Sequence, residues 1–172
     1  TNPCGEQPLA SYTACNLGNL NLMKFVNDDG SFDHKSLGDA TRVATRFLDN
    51  VIEYNMQNHA LPKIRDAVES DRRVGLGITG MADALVLMRK QYDSQGALDA
   101  VEEIMQTICY NSYETSIDLA KEKGSFPLFD WDGLSKSKFI QGLPSKIQER
   151  IKETGLRNCT LITMPPVGTG SI

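Results

Sequence analysis

Apolar residues along this chain recur mostly at spacings of three and four, broken by a few short continuous apolar runs. In HKSLGDATRVATRFLDNVIEYNMQ, the residues Leu37, Ala40, Ala44, Phe47, Leu48, Val51 and Ile52 follow a helical period. Asp33, just ahead of that stretch, is the predicted N-cap. LPKIRDAVESDRR opens on a proline that suits a first helical turn, and MADALVLMRK reads as a further helix. The longest helical pattern runs from Gln95 to Lys123 and meets Gly124, where a C-terminal glycine is expected. PSKIQERIKETG has a proline start and a glycine stop.

The apolar runs are shorter. Residues 20–26 (LNLMKFV) read as a strand or as the start of a helix. VGLGITG reads as a strand leading into a turn, and residues 156–164 (LRNCTLITM) as a buried strand. Residues 1–18, punctuated by Pro3, Gly5, Pro8 and Gly18, read as loop, and NDDGSFD as a turn. SFPLFDWDG reads as an irregular loop in which Phe126, Phe129 and Trp131 are packing anchors. Helices alternating with short apolar strands predict a helix-rich α/β architecture. The strands are few and far apart for a complete sheet, the first sign of a piece of something larger.

Composition narrows the function classes. The 172 residues match one domain, and 40% hydrophobic and 23% charged residues are ordinary globular values, which exclude disorder over the whole chain. The net charge of −4 and the lack of a Lys/Arg run give no nucleic-acid footprint, so no nucleic-acid partner is expected. No apolar run approaches the roughly 18 residues of a membrane helix, so no membrane partner and a cytoplasmic location are expected. Cys4, Cys15, Cys109 and Cys159 form no CxxC pair, and with only His34 and His59 beside them no metal site is expected. Neither histidine has an obvious partner. Cys109 and Cys159 read as buried, inert thiols.

Three stretches carry candidate chemistry. In NPCGE, Asn2, Cys4 and Glu6 share one side if the loop is extended. The carboxamide would then hydrogen-bond a hydroxyl-bearing substrate, the carboxylate take a proton and the thiol attack or abstract; the alternative is a solvated loop with a buried thiol. GLGITG (Gly75, Gly77, Gly80) matches the dinucleotide fingerprint G-x-G-x-x-G. The preceding ESDRRV is a poor strand and no acidic residue follows at a strand end, so tight strand-to-helix packing is the expectation. PVGTGS (Pro166, Val167, Gly168, Thr169, Gly170, Ser171) follows a predicted strand. It reads equally as a phosphate cradle, with backbone N–H groups and the Thr169 and Ser171 hydroxyls as donors, or as a polar turn.

Taken in order, TNPCGEQPL…SYTACNLGNLNL, FLDNVIEYN…LP, RRVGLGITGMADAL, EKGSFPLF and TMPPVGTGSI closely resemble the catalytic barrel of ribonucleotide reductase large subunits, over essentially all 172 residues. NPCGE with a second cysteine eleven residues on is most similar to the adenosylcobalamin-dependent class; the alternative is the metal-radical class. The resemblance implies a ten-stranded α/β barrel with a finger loop threaded through it, present here in part. The chain is then one incomplete unit: finger loop 1–18, helical and strand units 19–164 and phosphate loop 165–172. It implies that Cys4 becomes a thiyl radical, that Asn2 holds the substrate, and that Glu6 acts on the 3′-hydroxyl. Cys15 is half of a reducing dithiol whose partner lies upstream, so Cys4 and Cys15 are not bonded to each other. Residues 166–171 hold the substrate phosphates, although PVGTGS departs from the family's usual PTGTIS: Val167 lacks a hydroxyl and Gly170 adds freedom. Implied with these are a ribonucleotide substrate, adenosylcobalamin with no evident binding region here, the remaining parts of the reductase, and a thioredoxin-like electron donor. Both ends fall inside active-site motifs, so the expectation is a segment from a split gene or from between self-splicing inserts, inactive alone. A phosphate-binding module without turnover is the reading from another functional class.

Overall fold

The structure, a computed structural model, describes residues 1–168. Residues 1–15 have no regular structure, and strand β1 (Asn16–Asn21) starts directly after Cys15, so the loop ends three residues earlier than predicted. NLGNLN is a weak strand former by composition. It is extended because β2 (Val74–Thr79) pairs with it in parallel along its whole length, Asn16 opposite Val74 and Asn21 opposite Thr79. The run at 20–26 is therefore split. Its first residues end β1, and Leu22–Phe25 form a single 3-10 turn that Asn21 caps by accepting from Met23 N. NDDGSFD turns as expected, with Gly30 at φ +86°.

Helix α1 (His34–Asn58) starts where Asp33 accepts a hydrogen bond from Ser36 N at 2.9 Å. Its buried face is rotated from the expected stripe. Leu37, Leu48 and Ile52 are buried as expected, but Gly38, Thr41, Thr45 and Asp49 join them while Phe47 is exposed. The threonines fit because their hydroxyls donate to the carbonyls of Leu37 and Thr41 within the helix, at 2.8 and 2.9 Å. Helix α2 (Pro62–Asp71) begins on its proline and ends at Arg72 in the left-handed region, φ +47°. After β2, Gly80 at φ +69° opens α3 (Met81–Leu87). Helix α4 (Gln95–Lys123) has the predicted bounds; Ser94 caps it and Gly124 stops it. Contacts His34–Thr107, Arg42–Asn111 and Arg46–Glu122 climb together, so α1 and α4 run side by side in the same direction.

The stretch after Gly124 is less irregular than expected. It folds two short helices, α5 (Trp131–Leu134) and α6 (Lys138–Gln141), with Phe126 and Phe129 edge to face at 5.7 Å beneath them. Helix α7 (Ser145–Thr154) is tied to α4 by Arg150, paired with Glu114 and Asp118. The buried strand expected at 156–164 is not one. Leu76 N donates to Leu161 O and Thr163 N to Leu76 O, as in a parallel ladder. Val74 N, however, reaches Thr160 O, so donors two residues apart find acceptors one apart and the ladder slips. Among the described residues the sheet therefore holds two parallel strands, with this segment along the second edge of β2. The helix-rich α/β architecture is as expected, and these two strands are what the described residues show where part of a ten-stranded barrel was expected.

The core between α1, α4, α7 and β2 is apolar, with Leu37, Ile52, Val74, Leu76, Ile104, Ile108, Ile117 and Ile151 sealed from solvent. One ionic network crosses it. Asp49 is fully buried; it accepts from Arg72 Nη2 at 2.8 Å and Asn158 Nδ2 at 3.0 Å, with Lys123 Nζ and Arg157 Nε at 3.5 Å. Glu53 takes Arg72 Nη2 at 2.7 Å and pairs with Arg157. Asn158 reaches Arg72 O at 3.2 Å and Ser116 at 3.1 Å, while Arg157 donates to the carbonyls of Lys123 and Gly124 at the end of α4. One carboxylate thus joins α1, the end of α2, the end of α4 and the segment after α7.

Candidate active site

NPCG is a β-turn by composition, with Asn at the first position, Pro at the second and Gly at the fourth. The structure closes it: Gly5 N donates to Asn2 O at 3.2 Å, and Gly5 sits at φ +80°. Cys4 stands at the tip and is exposed. Asn2 organises the turn from inside, its side-chain oxygen accepting from Gly5 N at 3.1 Å and Gln7 N at 3.2 Å. Its amide nitrogen donates to Glu6 Oε1. Asn2 and Glu6 are thus joined, through a turn and not along an extended loop, while Cys4 is exposed at the turn's tip.

The loop is held from below. Gln7 is buried, Thr163 donates to Glu6 O at 3.4 Å, and Arg73 Nη1 donates to Pro8 O at 3.4 Å. Among the described residues Glu6 Oε2 is buried with no hydrogen-bond partner, as are Gln7 Oε1 and Asn19 Oδ1. An ionised carboxylate oxygen in that state is an acceptor waiting for a proton donor.

Cys15 lies half-buried at the foot of β1, and all four cysteines are free thiols. Its sulfur is 3.1 Å from where a side chain on Gly75 would start. Gly77 has the same role one step on: a Cβ there would stand 2.6 Å from Asn19 Oδ1, 2.9 Å from Thr163 O and 3.1 Å from Pro165 Cδ. The glycines of GLGITG thus serve close packing of β2 against β1 and the 160–165 segment, and Gly80 serves the turn into α3. G77A should therefore lower stability by about 1–3 kcal/mol by pushing on backbone. G96A, in open contact in the first turn of α4, should be neutral or stabilising by up to ~1 kcal/mol. Urea midpoints of the two variants check the contrast.

Of the predicted phosphate-binding residues, Pro166 and Gly168 are exposed and Val167 is half-buried, just past Pro165. Thr169, Gly170 and Ser171 lie outside the described residues. Cys109 and Cys159 are half-buried, not sealed. They line an apolar cavity of about 490 Å³ with Tyr113, Phe139, Met105 and Met164, and burial raises both thiols to about 11. His34 has partners after all, Thr107 Oγ1 at 3.0 Å and Glu103 at 3.8 Å. The Asp49 network and Arg73 escaped sequence reasoning; the only signal was charge in or beside apolar runs, in FLDNVIEY, DRRVGLG and LRNCTL. Among the described residues no His/Cys/Asp/Glu cluster is arranged to hold a metal, and no helix is long and apolar enough to cross a membrane.

The whole chain, residues 1–172, matches the family model "Ribonucleotide reductase, barrel domain". It is 40% identical over all of its length to the vitamin B12-dependent ribonucleoside-diphosphate reductase of Thermoplasma acidophilum, of which it covers 20%. It is 34% identical to the protein of that name from Mycobacterium tuberculosis, again over its whole length and 22% of the relative. The ribonucleoside-diphosphate reductase subunit alpha of Chlamydia muridarum is 32% identical over 96% of this chain and 17% of its own. The chain spans about a fifth of the length of the curated relatives it matches. With the match running from the Cys4 turn through Gly168 and beyond, the chain belongs to the ribonucleotide reductase barrel-domain family.

Proposed function

We propose that this chain is a segment of the catalytic barrel of an adenosylcobalamin-dependent ribonucleotide reductase. It would act on ribonucleoside diphosphates and be inactive until joined to the remaining parts. The observation that carries the reading is Glu6: one carboxylate oxygen is held by Asn2, and the other is buried and has no partner among the described residues. In the proposed reaction the Cys4 sulfur takes the substrate's 3′ hydrogen and Asn2 holds the substrate and aims Glu6. The free oxygen of Glu6 accepts the 3′-hydroxyl proton, general-base work that eases departure of the 2′-hydroxyl as water. Cys15 supplies electrons as half of a dithiol that closes to a disulfide, with a thioredoxin-like protein restoring it. Residues 166–171 would hold the phosphates. The finger loop, drawn at 1–18 from sequence, then shares its last three residues with β1. The free edge of β1 is where the rest of a ten-stranded barrel would continue, since an unpaired edge invites a partner strand.

The apolar cavity, lined by α4, Phe139 of α6 and the 159–164 segment, includes neither Cys4 nor Glu6. The cofactor is therefore assigned to the rest of the reductase, and its part is to generate the radical that reaches the exposed Cys4. The metal-radical class remains the second reading because the Chlamydia relative is named a subunit alpha. Reduction of a labelled ribonucleoside diphosphate by the assembled reductase, with and without adenosylcobalamin, decides between them. Cobalamin-dependent turnover is expected. Turnover only with a separate metal-bearing subunit selects the other class, and nucleotide binding without turnover under either condition selects the phosphate-binding module.

A further inference from the structure

The β1–β2 register puts Asn16 opposite Val74, so Cys15 and Arg73 are neighbours at the same end of the two strands. Strand alternation places Arg73 on the face of Gly75, the glycine whose missing side chain leaves room for the Cys15 sulfur. Arg73 is not free to wander. Its Nε donates to Asp71 Oδ2 at 2.6 Å, its Nη1 to Pro8 O at 3.4 Å, and its side chain is 17% exposed. Asp71 is itself buried, and its second oxygen has no partner among the described residues. Cys159, whose N–H donates to Asp71 O at 3.1 Å, stands on the other side of this pair.

We propose that Arg73, anchored between Asp71 and the carbonyl of Pro8, is a positioning residue that stabilises the anion of Cys15 and so sets how fast this thiol enters and leaves a disulfide. The proposal rests on the reading of Cys15 as a reducing thiol. Arg73, Cys159, Asp71 and Glu6 bear on Cys15, and Arg73 is the cation among these four. Burial pushes Cys15 up to about 12; Arg73 pulls against it, while Cys159, Asp71 and Glu6 add to it. Cys159 feels the same pull from Arg73, and Cys109 feels burial alone, which makes Cys109 an internal control.

The chemistry gives the arginine a definite step. When a dithiol donor restores the site, a donor thiolate bonds to the sulfur disulfide-linked to Cys15. That S–S bond breaks, and its electron pair leaves on Cys15 as a thiolate, which then takes a proton. The donor's second thiolate attacks the mixed disulfide, so the donor departs oxidised and both protein thiols are reduced. A leaving thiolate departs faster when it is better stabilised.

The test is iodoacetamide alkylation, followed peptide by peptide from pH 8 to 10, in the reductase assembled with this chain. R73Q should slow Cys15 and Cys159 about ten-fold relative to Cys109, the effect of losing one nearby opposite charge. R73K should restore most of the rate. D71N, which keeps an oxygen for Arg73 but removes a negative charge, should speed Cys15 several-fold, and it preserves the test if R73Q fails to fold. Cys15/Cys109 ratios unchanged in R73Q, or in D71N where R73Q does not fold, overturn the proposal. Turnover of Cys15→Ser addresses the underlying role separately: lost turnover beside unchanged alkylation ratios removes the arginine's part and leaves the thiol's.

Discussion

Replacing Cys4 by serine is expected to end ribonucleotide reduction in the reductase assembled with this chain, by at least about 10³-fold, while nucleotide binding persists. The turn survives the change, because its hydrogen bonds run from the Gly5 and Gln7 N–H groups to Asn2 and none of these uses the Cys4 side chain. What is lost is a sulfur able to carry an unpaired electron at an exposed tip. Glu6→Gln should fall less far, by roughly 10²–10⁴-fold, the usual worth of a general base. It keeps the oxygen that Asn2 holds but surrenders the proton-accepting one. Asn2→Ala should lose both turnover and order in the loop, since the Asn2 side chain bonds Gly5, Gln7 and Glu6 together. The measurement is single-turnover formation of deoxynucleotide beside equilibrium binding of the diphosphate. Turnover retained in Cys4→Ser would remove the radical assignment altogether.

The residue types of this loop were legible and its shape was not: an extended run was expected, and Gly5 N closing on Asn2 O makes a turn that carries the thiol at its tip. The helix ends were legible because their signals are local: Asp33, Gly124 and Gly155 act within one turn of their own position. The misses are positions where partners distant in sequence decide. NLGNLN becomes a strand only because β2 lies beside it. LRNCTLITM reads as a strand but slips register against β2, as Arg157 and Asn158 at its start are committed to Asp49 and Ser116. The apolar stripe of α1 misplaced Phe47 because its inner face is shared with threonines that satisfy their hydroxyls internally and with a carboxylate that three basic side chains neutralise. Periodicity counts apolar letters and has no way to see a buried charge whose partners lie 23 and 108 residues away.

That buried charge sets the largest expected effect on stability. Asp49→Ala should destabilise the fold by about 3–5 kcal/mol, the cost of leaving buried cations without their anion. Arg72 is as buried as Asp49, and Arg157 nearly so; Glu53, half-exposed, is the one acid left to share between them. Asp49→Asn keeps the shape but leaves the same cations uncompensated, so it too should lower the urea midpoint. A midpoint unchanged in both variants would mean that the network contributes nothing net. The pH dependence has a definite sign. Burial pushes the Asp49 carboxyl up, but the Arg72 hydrogen bonds, the Arg72 and Arg157 charges and Asn158 outweigh it and hold the group below the ordinary carboxylate range. A depressed folded value means that the stabilisation is complete above the unfolded value of about 3.9 and is lost as pH falls through the folded one. The wild-type chain should therefore shed this share of its stability only in strong acid, whereas Asp49→Asn should lack that part of the acid transition. Because Asp49 joins α1, the ends of α2 and α4 and the segment leading to Pro166, its loss should also loosen the phosphate-binding side of the proposed site. In the assembled reductase, a folded but weakened Asp49→Asn variant should therefore show a raised KM for the diphosphate before it shows a lowered kcat.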